Sequence, residues 1–296
     1  MILFDPPLIR ALSFPVMRKR AIIRRLPCVA VFAALLLDSN LALADETTWN
    51  RIANGLEIGR FKVQQSTVAG DSTVVVLRID PSRWEMKLLS ISQTGEQAGR
   101  SAREWSEKHN LAAVTNAGMF QQDHRAHVGY MKSGAHINSA GRNSYKSAAA
   151  FGPLRPGLPP FRIFDLDVDR LDSVIAQYAN VVQNLRMVSR ARENKWVAKA
   201  DEWSEAALGE DKQGRALFIF CRSPYTVHDL NDILLSLPID LVCAQHLEGG
   251  PEAQLYLRWG KTELELTGSY ESAFSPDDLN QVGWPVPNVI GIAPKK

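Results

Sequence analysis

The segment from Leu241 to Leu257 constrains the fold more than any other part of the chain. An apolar run predicts a buried strand that ends in the carboxylate of Glu248, and Gly249-Gly250 with a proline then predicts a turn into a second strand. Glu252 follows within that turn. Burial raises the pKa of a carboxyl group, and paired glycines let a ligand approach the backbone. The segment therefore indicates either a strand-end site for acid–base chemistry or a plain tight turn with two solvated glutamates.

Strand patterns dominate the rest of the sequence. Apolar and alternating runs predict strands over residues 56–64, 73–80, 84–91, 111–116, 161–166, 181–188, 215–221, 240–247, 254–259, 262–267 and 288–293. Helical patterns are confined to residues 101–109, 171–179 and 227–236, the last of which begins after the N-cap residue Thr226. The charged segment 189–214 predicts a surface insertion with a short helix.

This order of elements predicts an α+β fold. We expect a mixed, mainly antiparallel sheet with flanking helices, in a single domain. The strand–helix–strand unit at residues 215–247 is expected to supply one parallel pair of strands.

The N-terminal residues 1–44 have the pattern of a signal peptide. Residues 17–25 are basic, residues 26–37 are apolar, and small residues precede an expected cleavage site after Ala44. Met17 is an alternative start. The apolar run is shorter than the ~20 residues that span a bilayer, so we expect no stable membrane anchor after cleavage.

Export predicts a periplasmic or secreted protein. In that protein, residues 45–69 would be a leader and first strand, and residues 70–296 would form the main domain. Export also permits a disulfide between Cys221 and Cys243, although two buried free thiols fit their apolar surroundings equally well.

The charge of the exported chain excludes an obvious nucleic-acid partner. The full sequence has 34 Lys and Arg and 32 Asp and Glu. Residues 1–44 contain six of the basic and two of the acidic residues, which leaves 28 basic and 30 acidic residues. No basic stripe with interleaved aromatic residues is visible, so we predict no nucleic-acid binding.

Two short polar motifs follow apolar strands. Asn116 stands two residues before Gly118, where its amide would point into a cleft or occupy a turn. Arg222-Ser223 lies between a predicted buried strand and a helix start, a place suited to an anion as well as to a capping turn.

Strand alternation in residues 181–188 puts Asn184 and Arg186 on one face, which would either line a cleft or be the open face of an edge strand. A different polar segment contains His124, His127 and His136 beside Asp123. These groups would bind zinc in a metal-dependent hydrolase, but their spacing matches no known ligand pattern and favours polar loop histidines.

In their order along the chain, these segments resemble the phosphodiester glycosidase family. The family pattern has a strand into Asn-Gly-Gly-Phe-Phe, a glycine-led hairpin, an arginine-bearing loop, a helix, and a strand into Leu-Asp-Gly-Gly. The counterparts in this chain are Asn116–Phe120, Gly129–Gly134, Arg222–Tyr225, residues 227–236 and Leu247–Gly250. Two residues depart from the pattern: Ala117 replaces a glycine, and Glu248 replaces the family aspartate with an arm longer by one methylene.

The resemblance implies that residues 70–296 form a phosphodiester glycosidase-like domain, and that an exported hydrolase cleaves a sugar from a glycosyl phosphodiester in an envelope or extracellular glycan. We expect Glu248 to be the principal catalytic carboxylate, with Glu252 or Asp123 as its partner. The expected substrate-binding residues are Asn116, Gly118, Asn184, Arg186, Arg222, Ser223, Gly249 and Gly250, in which the arginines hold the phosphate and the asparagines bind sugar hydroxyls.

The sequence predicts no cofactor and no metal ligand. It does not decide whether a divalent cation helps to hold the phosphate. The alternative is a non-catalytic glycan-binding envelope protein on the same fold.

Overall fold

Residues 49–295 are described by the computed structural model, and strands make up most of their regular structure. The predicted signal peptide, residues 1–44, lies outside the described residues. The strands in chain order are β1 (Trp49–Ala53), β2 (Leu56–Lys62), β3 (Thr73–Ile79), β4 (Trp84–Ser90), β5 (Ala113–Asn116), β6 (Met131–Ser133), β7 (His136–Ser139), β8 (Ser147–Pro153), β9 (Phe161–Asp165), β10 (Tyr178–Asn184), β11 (Arg186–Val188), β12 (Glu202–Asp211), β13 (Ala216–Thr226), β14 (Leu241–Gly249), β15 (Gln254–Trp259), β16 (Thr262–Thr267) and β17 (Asn288–Pro294).

The helices are short: α1 (Ile91–Thr94), α2 (Ala102–His109), α3 (Leu171–Gln177), α4 (Val227–Ser236) and a 3-10 turn over Gly250–Glu252. Two of them begin where sequence chemistry predicts. Ser101 and Glu104 form a capping box at the start of α2. The Thr226 hydroxyl accepts a hydrogen bond from the Asp229 N–H at 3.1 Å, which confirms the predicted helix over residues 227–236.

The strands form three sheets. The largest has the order β1-β2-β3-β13-β12-β14-β11, the second has β7-β6-β10-β8-β9, and the third has β16-β15-β5-β17-β4. A central hydrophobic cluster lies among them and takes, for example, Leu77 from the first sheet, Phe151 from the second and Ile290 from the third. Helix α4 covers the outer face of the first sheet, α3 packs on the second and α2 on the third. The predicted α+β character is present, with strands in the majority.

The expected parallel pair does not form within residues 49–295, where every strand pairing is antiparallel. Strands β13 and β14 do run in the same direction, but β12 is inserted between them and pairs with both. The prediction of a surface insertion over residues 189–214 is therefore wrong, because Glu202–Asp211 is the central strand that separates them.

The predicted strand over residues 181–188 is also divided. It breaks at Leu185, so that β10 ends in the second sheet and β11 begins in the first. Asn184 and Arg186 consequently do not share a strand face, contrary to the sequence-based expectation. Likewise, residues 222–225 continue β13 where a loop was predicted.

Two further observations concern the possible disulfide and the membrane anchor that were considered from the sequence. Cys221 and Cys243 are free buried thiols in different hydrophobic clusters, so the structure contains no disulfide between them. Burial raises the pKa of the Cys221 thiol to about 12. In the part of the chain that the structure describes, no helix is long and apolar enough to cross a membrane.

Candidate active site

Glu248 lies at the end of β14 and lines a cavity of about 340 Å³. His246, Glu252 and Glu271 also line this cavity, which we call the carboxylate cavity. Its apolar wall consists of Met119, Trp203 and Phe274. Titratable groups converge here in an open, concave pocket with aromatic walls, a form that is common in small-molecule sites.

Two irregularities in strand register, of the β-bulge type or larger, shape the sheet next to the cavity. The register between β12 and β14 shifts between Ala206 and Ala207, and the register between β12 and β13 shifts between Trp203 and Glu205. A bulge bends the strand and re-aims its side chains, and bulges are common beside active sites. Here they lie on either side of Glu205, whose carboxylate supports the cavity.

His246 forms a buried pair with Glu205. Its Nδ1 lies 2.7 Å from Oε1 of Glu205, and Oε2 of the same carboxylate accepts a 2.7 Å hydrogen bond from Nε1 of Trp203. Burial alone would lower the pKa of His246, but the charge and hydrogen bond of Glu205 outweigh it and raise the pKa. The contact with Glu205 therefore fixes the imidazole and favours its cationic form.

Glu248 is a carboxyl group that favours its neutral form. Burial raises its pKa to about 8, the negative charge of Glu252 adds to the rise, and the charge of His246 opposes it. The only hydrogen bond to its side chain from the described residues is long, from the N–H of Gly249 at 3.4 Å. At neutral pH most molecules therefore have a proton on Glu248, which suits a general acid.

The cavity contains two further carboxyl groups, Glu252 and Glu271. Burial is the main cause that raises the pKa of each, and the charge of Glu271 adds to the rise at Glu252. Neighbouring carboxyl groups of this kind share protons and lose them in successive steps. The cavity thus combines a carboxyl group that is mostly protonated at neutral pH with two further carboxyl groups whose pKa values are raised.

The glycines beside Glu248 are explained by protein contacts. A Cβ atom on Gly249 would lie 2.6 Å from Cδ1 of Trp203, and one on Gly250 would lie 2.6 Å from Oε2 of Glu271. Gly250 also has φ 59°, in the region that favours glycine. Both residues therefore make room for a neighbouring side chain. Gly249 also lines the carboxylate cavity, as expected of a substrate-binding residue, whereas Gly250 is not part of the lining.

Asn116 organises the segment that follows Glu248. Its Nδ2 donates to the carbonyl of Glu252 at 2.9 Å, and its Oδ1 accepts from the N–H of Gln254 at 2.8 Å. Both ends of the amide are thereby occupied by backbone. We therefore interpret Asn116 as the side chain that positions Glu252.

Asn184 and Gly118 lie together next to this strand end. Asn184 Nδ2 donates to the carbonyl of Ala117 at 2.9 Å, while its buried Oδ1 has no hydrogen-bond partner among the described residues. Gly118 has φ 148°, and a Cβ there would lie 2.3 Å from Oδ1 of Asn184 and 2.5 Å from the ring of His127. Close packing against Asn184 and His127 thus requires a glycine at position 118. The sequence analysis had instead assigned this residue to substrate binding.

Arg222 lies away from the carboxylate cavity and lines a different one. Its guanidinium donates to the carbonyls of Thr267 at 2.7 Å and Asn280 at 2.9 Å, and it pairs with Asp278 at 2.6 Å. These contacts fasten the segment 267–280, which includes Glu271. The sequence-based expectation that Arg222 and Glu248 share one cavity is therefore wrong. In the structure, Arg222 supports a loop.

The remaining predicted residues also lie outside the cavity lining. The Arg186 guanidinium forms ion pairs with Asp165 and Asp167, and Ser223 Oγ accepts from the N–H of Ser72 at 2.7 Å. Asp123 is on an exposed turn, where hydrogen bonds from the backbone N–H groups of residues 126 and 125 lower the pKa of its carboxyl.

The histidine segment does not assemble a metal site. His127 is buried with Nε2 at 2.7 Å from the carbonyl of Gln183, and burial lowers its pKa to about 4. His136 contacts Ser92 Oγ at 2.9 Å, and His124 is exposed. Over residues 49–295, no group of three or more His, Cys, Asp or Glu side chains is arranged to hold a metal ion.

Sequence reasoning missed Trp203, Glu205, Glu271 and Phe274. The first two belong to the segment that was interpreted as a surface insertion. Its one indication of burial is the short apolar run Ala206–Leu208 between acidic residues. Glu271 and Phe274 lie in a polar loop after β16, where no local pattern distinguishes them.

Comparison with known proteins agrees with this architecture. The catalytic domain of zebrafish N-acetylglucosamine-1-phosphodiester alpha-N-acetylglucosaminidase, in a form auto-inhibited by its pro-peptide, superposes with a TM-score of 0.58 at 11% identity, over 83% of this chain and 86% of that one. A hypothetical protein from Synechocystis gives a TM-score of 0.59 at 12% identity, over 82% of this chain and 63% of that one. At such identities the likeness concerns the fold alone.

A search of curated protein sequences gives no significant match. The sequence profile of the phosphodiester glycosidase family, by contrast, matches residues 109–293, which include every residue that lines the carboxylate cavity. This chain therefore belongs to the phosphodiester glycosidase family.

Proposed function

We propose that this protein is an exported hydrolase that cleaves a sugar from a glycosyl phosphodiester in an envelope or extracellular glycan. Family membership and the name of the zebrafish relative support a phosphodiester-linked sugar as substrate. The observation that carries the proposal is the carboxylate cavity, in which Glu248, with a pKa raised to about 8, lies beside the imidazole of His246 and two more carboxyl groups.

The proposed reaction is the attack of water on the anomeric carbon of the sugar. The bond between that carbon and the phosphate oxygen breaks, and the products are a free sugar and a phosphomonoester. Glu248 donates its proton to, or hydrogen-bonds, the departing phosphate oxygen. Glu252 or Glu271, when ionised, takes the proton that the attacking water loses.

The imidazolium of His246 supplies the positive charge that the phosphate requires. Its Nδ1 is occupied by Glu205, and no described residue hydrogen-bonds Nε2, which leaves that donor for a ligand in the cavity. A charge-assisted hydrogen bond to a phosphate oxygen is stronger than a neutral one. This role replaces the one that sequence reasoning gave to Arg222 and Arg186.

Trp203 and Phe274 form an aromatic wall on the same cavity. Aromatic rings present a flat apolar surface to the C–H groups of a sugar ring. The cavity volume of about 340 Å³ suits a monosaccharide with its phosphate rather than a long glycan chain.

The test is sugar release from a set of synthetic methyl phosphodiesters of sugar 1-phosphates, among them N-acetylglucosamine. Wild-type protein is expected to release free sugar, and Glu248→Gln is expected to bind the same compound by calorimetry without turnover. Glu85→Gln, a change of an exposed glutamate on β4, is the matched control and should behave like the wild type. Binding without turnover by the wild type itself would instead establish a non-catalytic glycan-binding protein.

We also propose periplasmic or secreted localisation, on the basis of the N-terminal sequence pattern alone. Cell fractionation followed by N-terminal sequencing tests it. A mature chain that begins at Asp45 is expected, and retention of the full sequence in the cytoplasm would contradict export.

A further inference from the structure

A second cavity, which Arg222 lines, has a volume of about 680 Å³, twice that of the carboxylate cavity. Strand β2 contributes Arg60 and Lys62, and β13 contributes Phe220 and Arg222. Residues two apart on a strand point to the same face, so each pair is aimed into the cavity by its strand. The opposite wall comes from β16 and the loop that Arg222 fastens.

The strand register aligns these side chains across the sheet. Arg60 pairs with Val75 of β3, and Val75 pairs with Phe220 of β13, which gives one continuous row over three strands. Lys62 pairs with Thr73 in the neighbouring row. The floor of the cavity is therefore apolar at its centre and cationic at the β2 edge.

Two of the three carboxylates around the cavity form ion pairs, and the third accepts hydrogen bonds from a threonine. Arg103 pairs with Glu265 at 2.6 Å, Arg222 pairs with Asp278 at 2.6 Å, and Asp71 accepts hydrogen bonds from Thr73.

The two cations on β2 are not neutralised in this way. The ammonium group of Lys62 donates to the backbone carbonyl of Asp71, which leaves its charge uncompensated by an ion pair. Arg60 is exposed and forms no ion pair or side-chain hydrogen bond with any described residue. With respect to residues 49–295, all donors of its guanidinium are therefore open to a ligand.

We propose that this second cavity binds an anionic saccharide, in which a phosphate or carboxylate group contacts Arg60 and Lys62 and the sugar ring packs over Val75 and Phe220. A guanidinium presents a fork of donors that matches either anion, and a neighbouring ammonium adds a second charge. The volume is within the range of small-molecule sites and accommodates a saccharide of more than one ring. The proposal concerns binding only and does not depend on hydrolysis at Glu248.

The experiment is calorimetric titration of the purified mature protein with glucose 6-phosphate, glucuronate and uncharged glucose. It uses the Glu248→Gln background, so that binding in the carboxylate cavity produces no turnover. The test variant is Arg60→Glu/Lys62→Glu, and both positions are exposed, so the fold should be retained. Arg51→Glu is the control, because Arg51 is an exposed arginine on β1 outside the cavity lining.

We expect the charged sugars to bind, glucose to bind at least about tenfold more weakly, and the double variant to lose about tenfold or more in affinity for the charged sugars. Arg51→Glu should match its parent. The relative strength of glucose 6-phosphate and glucuronate identifies the preferred anion. Absence of binding, equal binding of glucose, or an undiminished affinity of the double variant would each overturn the proposal.

Discussion

Nδ1 of His246 lies 2.7 Å from Oε1 of Glu205, and both side chains are buried at the base of the cavity that contains Glu248. Because an ionised carboxylate only accepts hydrogen bonds, Nδ1 of the imidazole is the donor. The contact fixes the ring and its charge, so that Nε2 remains available to a ligand. The electrostatics of the proposed active site therefore depend on a strand that sequence patterns did not identify.

Glu205→Gln is expected to lower the pKa of His246. Among the neighbours that raise this pKa, Glu205 has the largest effect, ahead of Glu248 and Glu271. Removal of its charge therefore leaves the opposing effect of burial less balanced. The imidazole would then carry less positive charge at pH 7, and KM for a phosphodiester should rise by about tenfold as the charge-assisted contact weakens. NMR titration of the His246 ring checks the pKa directly. An unchanged titration would show that Glu205 does not set this charge.

Protein stability should depend on pH through Glu248. Its folded pKa of about 8 is above the ordinary value of 4.5, so the neutral form is favoured in the folded state. The stability associated with that proton is complete at low pH and is lost as pH rises from about 5 through 8.

Between pH 5 and pH 8, the free energy of unfolding of the wild type should fall by on the order of 3 kcal/mol relative to that of Glu248→Gln. This is less than the full pKa shift would give, because the Glu248 carboxyl is partly open to solvent. Denaturant unfolding of both proteins at several pH values measures the difference. A difference that stays constant from pH 5 to pH 9 would contradict a raised pKa.

Arg222→Ala should loosen the loop that includes Glu271. The change removes an ion pair and hydrogen bonds to carbonyls of Thr267 and Asn280, and we expect a loss of about 2–4 kcal/mol in the free energy of unfolding. Arg222→Lys should rescue little, because one ammonium cannot reproduce the fork of contacts.

Kinetics distinguish loop support from phosphate binding at Arg222. Loop support predicts a fall in kcat that is similar for a glycosyl phosphodiester and for an uncharged aryl glycoside. A rise in KM confined to the phosphodiester would instead restore Arg222 as a phosphate ligand.

Gly250→Ala should displace Glu271 in addition to straining the backbone. Gly250 and Gly134 both have φ 59°, but only at Gly250 would a Cβ meet a neighbour, Oε2 of Glu271 at 2.6 Å. Gly134→Ala is therefore a control for strain alone, with an expected cost of about 1 kcal/mol. Gly250→Ala should cost more and reduce sugar release several-fold. Equal stability and equal activity in the two variants would show that the close contact has no consequence.

Sequence patterns correctly predicted the helices and strands that are determined by residues close together in the chain. Thr226 defines the start of α4, and the strands predicted over residues 254–259 and 262–267 form as β15 and β16. The buried strand that ends in Glu248 also forms as expected. Each of these features is determined within a few residues along the chain, which is why sequence patterns suffice.

Strand β12 shows why other features were not predicted. Its acidic residues have the appearance of a solvated segment, but Glu205 pairs with His246 and Glu210 with Arg190 at 2.6 Å. Buried charges are tolerated only with such partners, and these partners are 41 and 20 residues away in sequence. Arg222 illustrates the same limit, since the carbonyl groups that occupy it come from a loop 45 to 58 residues further on.

The most direct test of the central claim is the pH dependence of kcat/KM for sugar release by the wild type, measured beside Glu248→Gln. The protonated carboxyl of Glu248 predicts a rate that falls above a pKa of about 8 in the wild type. It also predicts a rate at least ~100-fold lower in the variant, with that alkaline limb absent. A wild-type profile that stays level through pH 8, or a variant that releases sugar at the wild-type rate, would contradict the assignment of Glu248 as the catalytic acid.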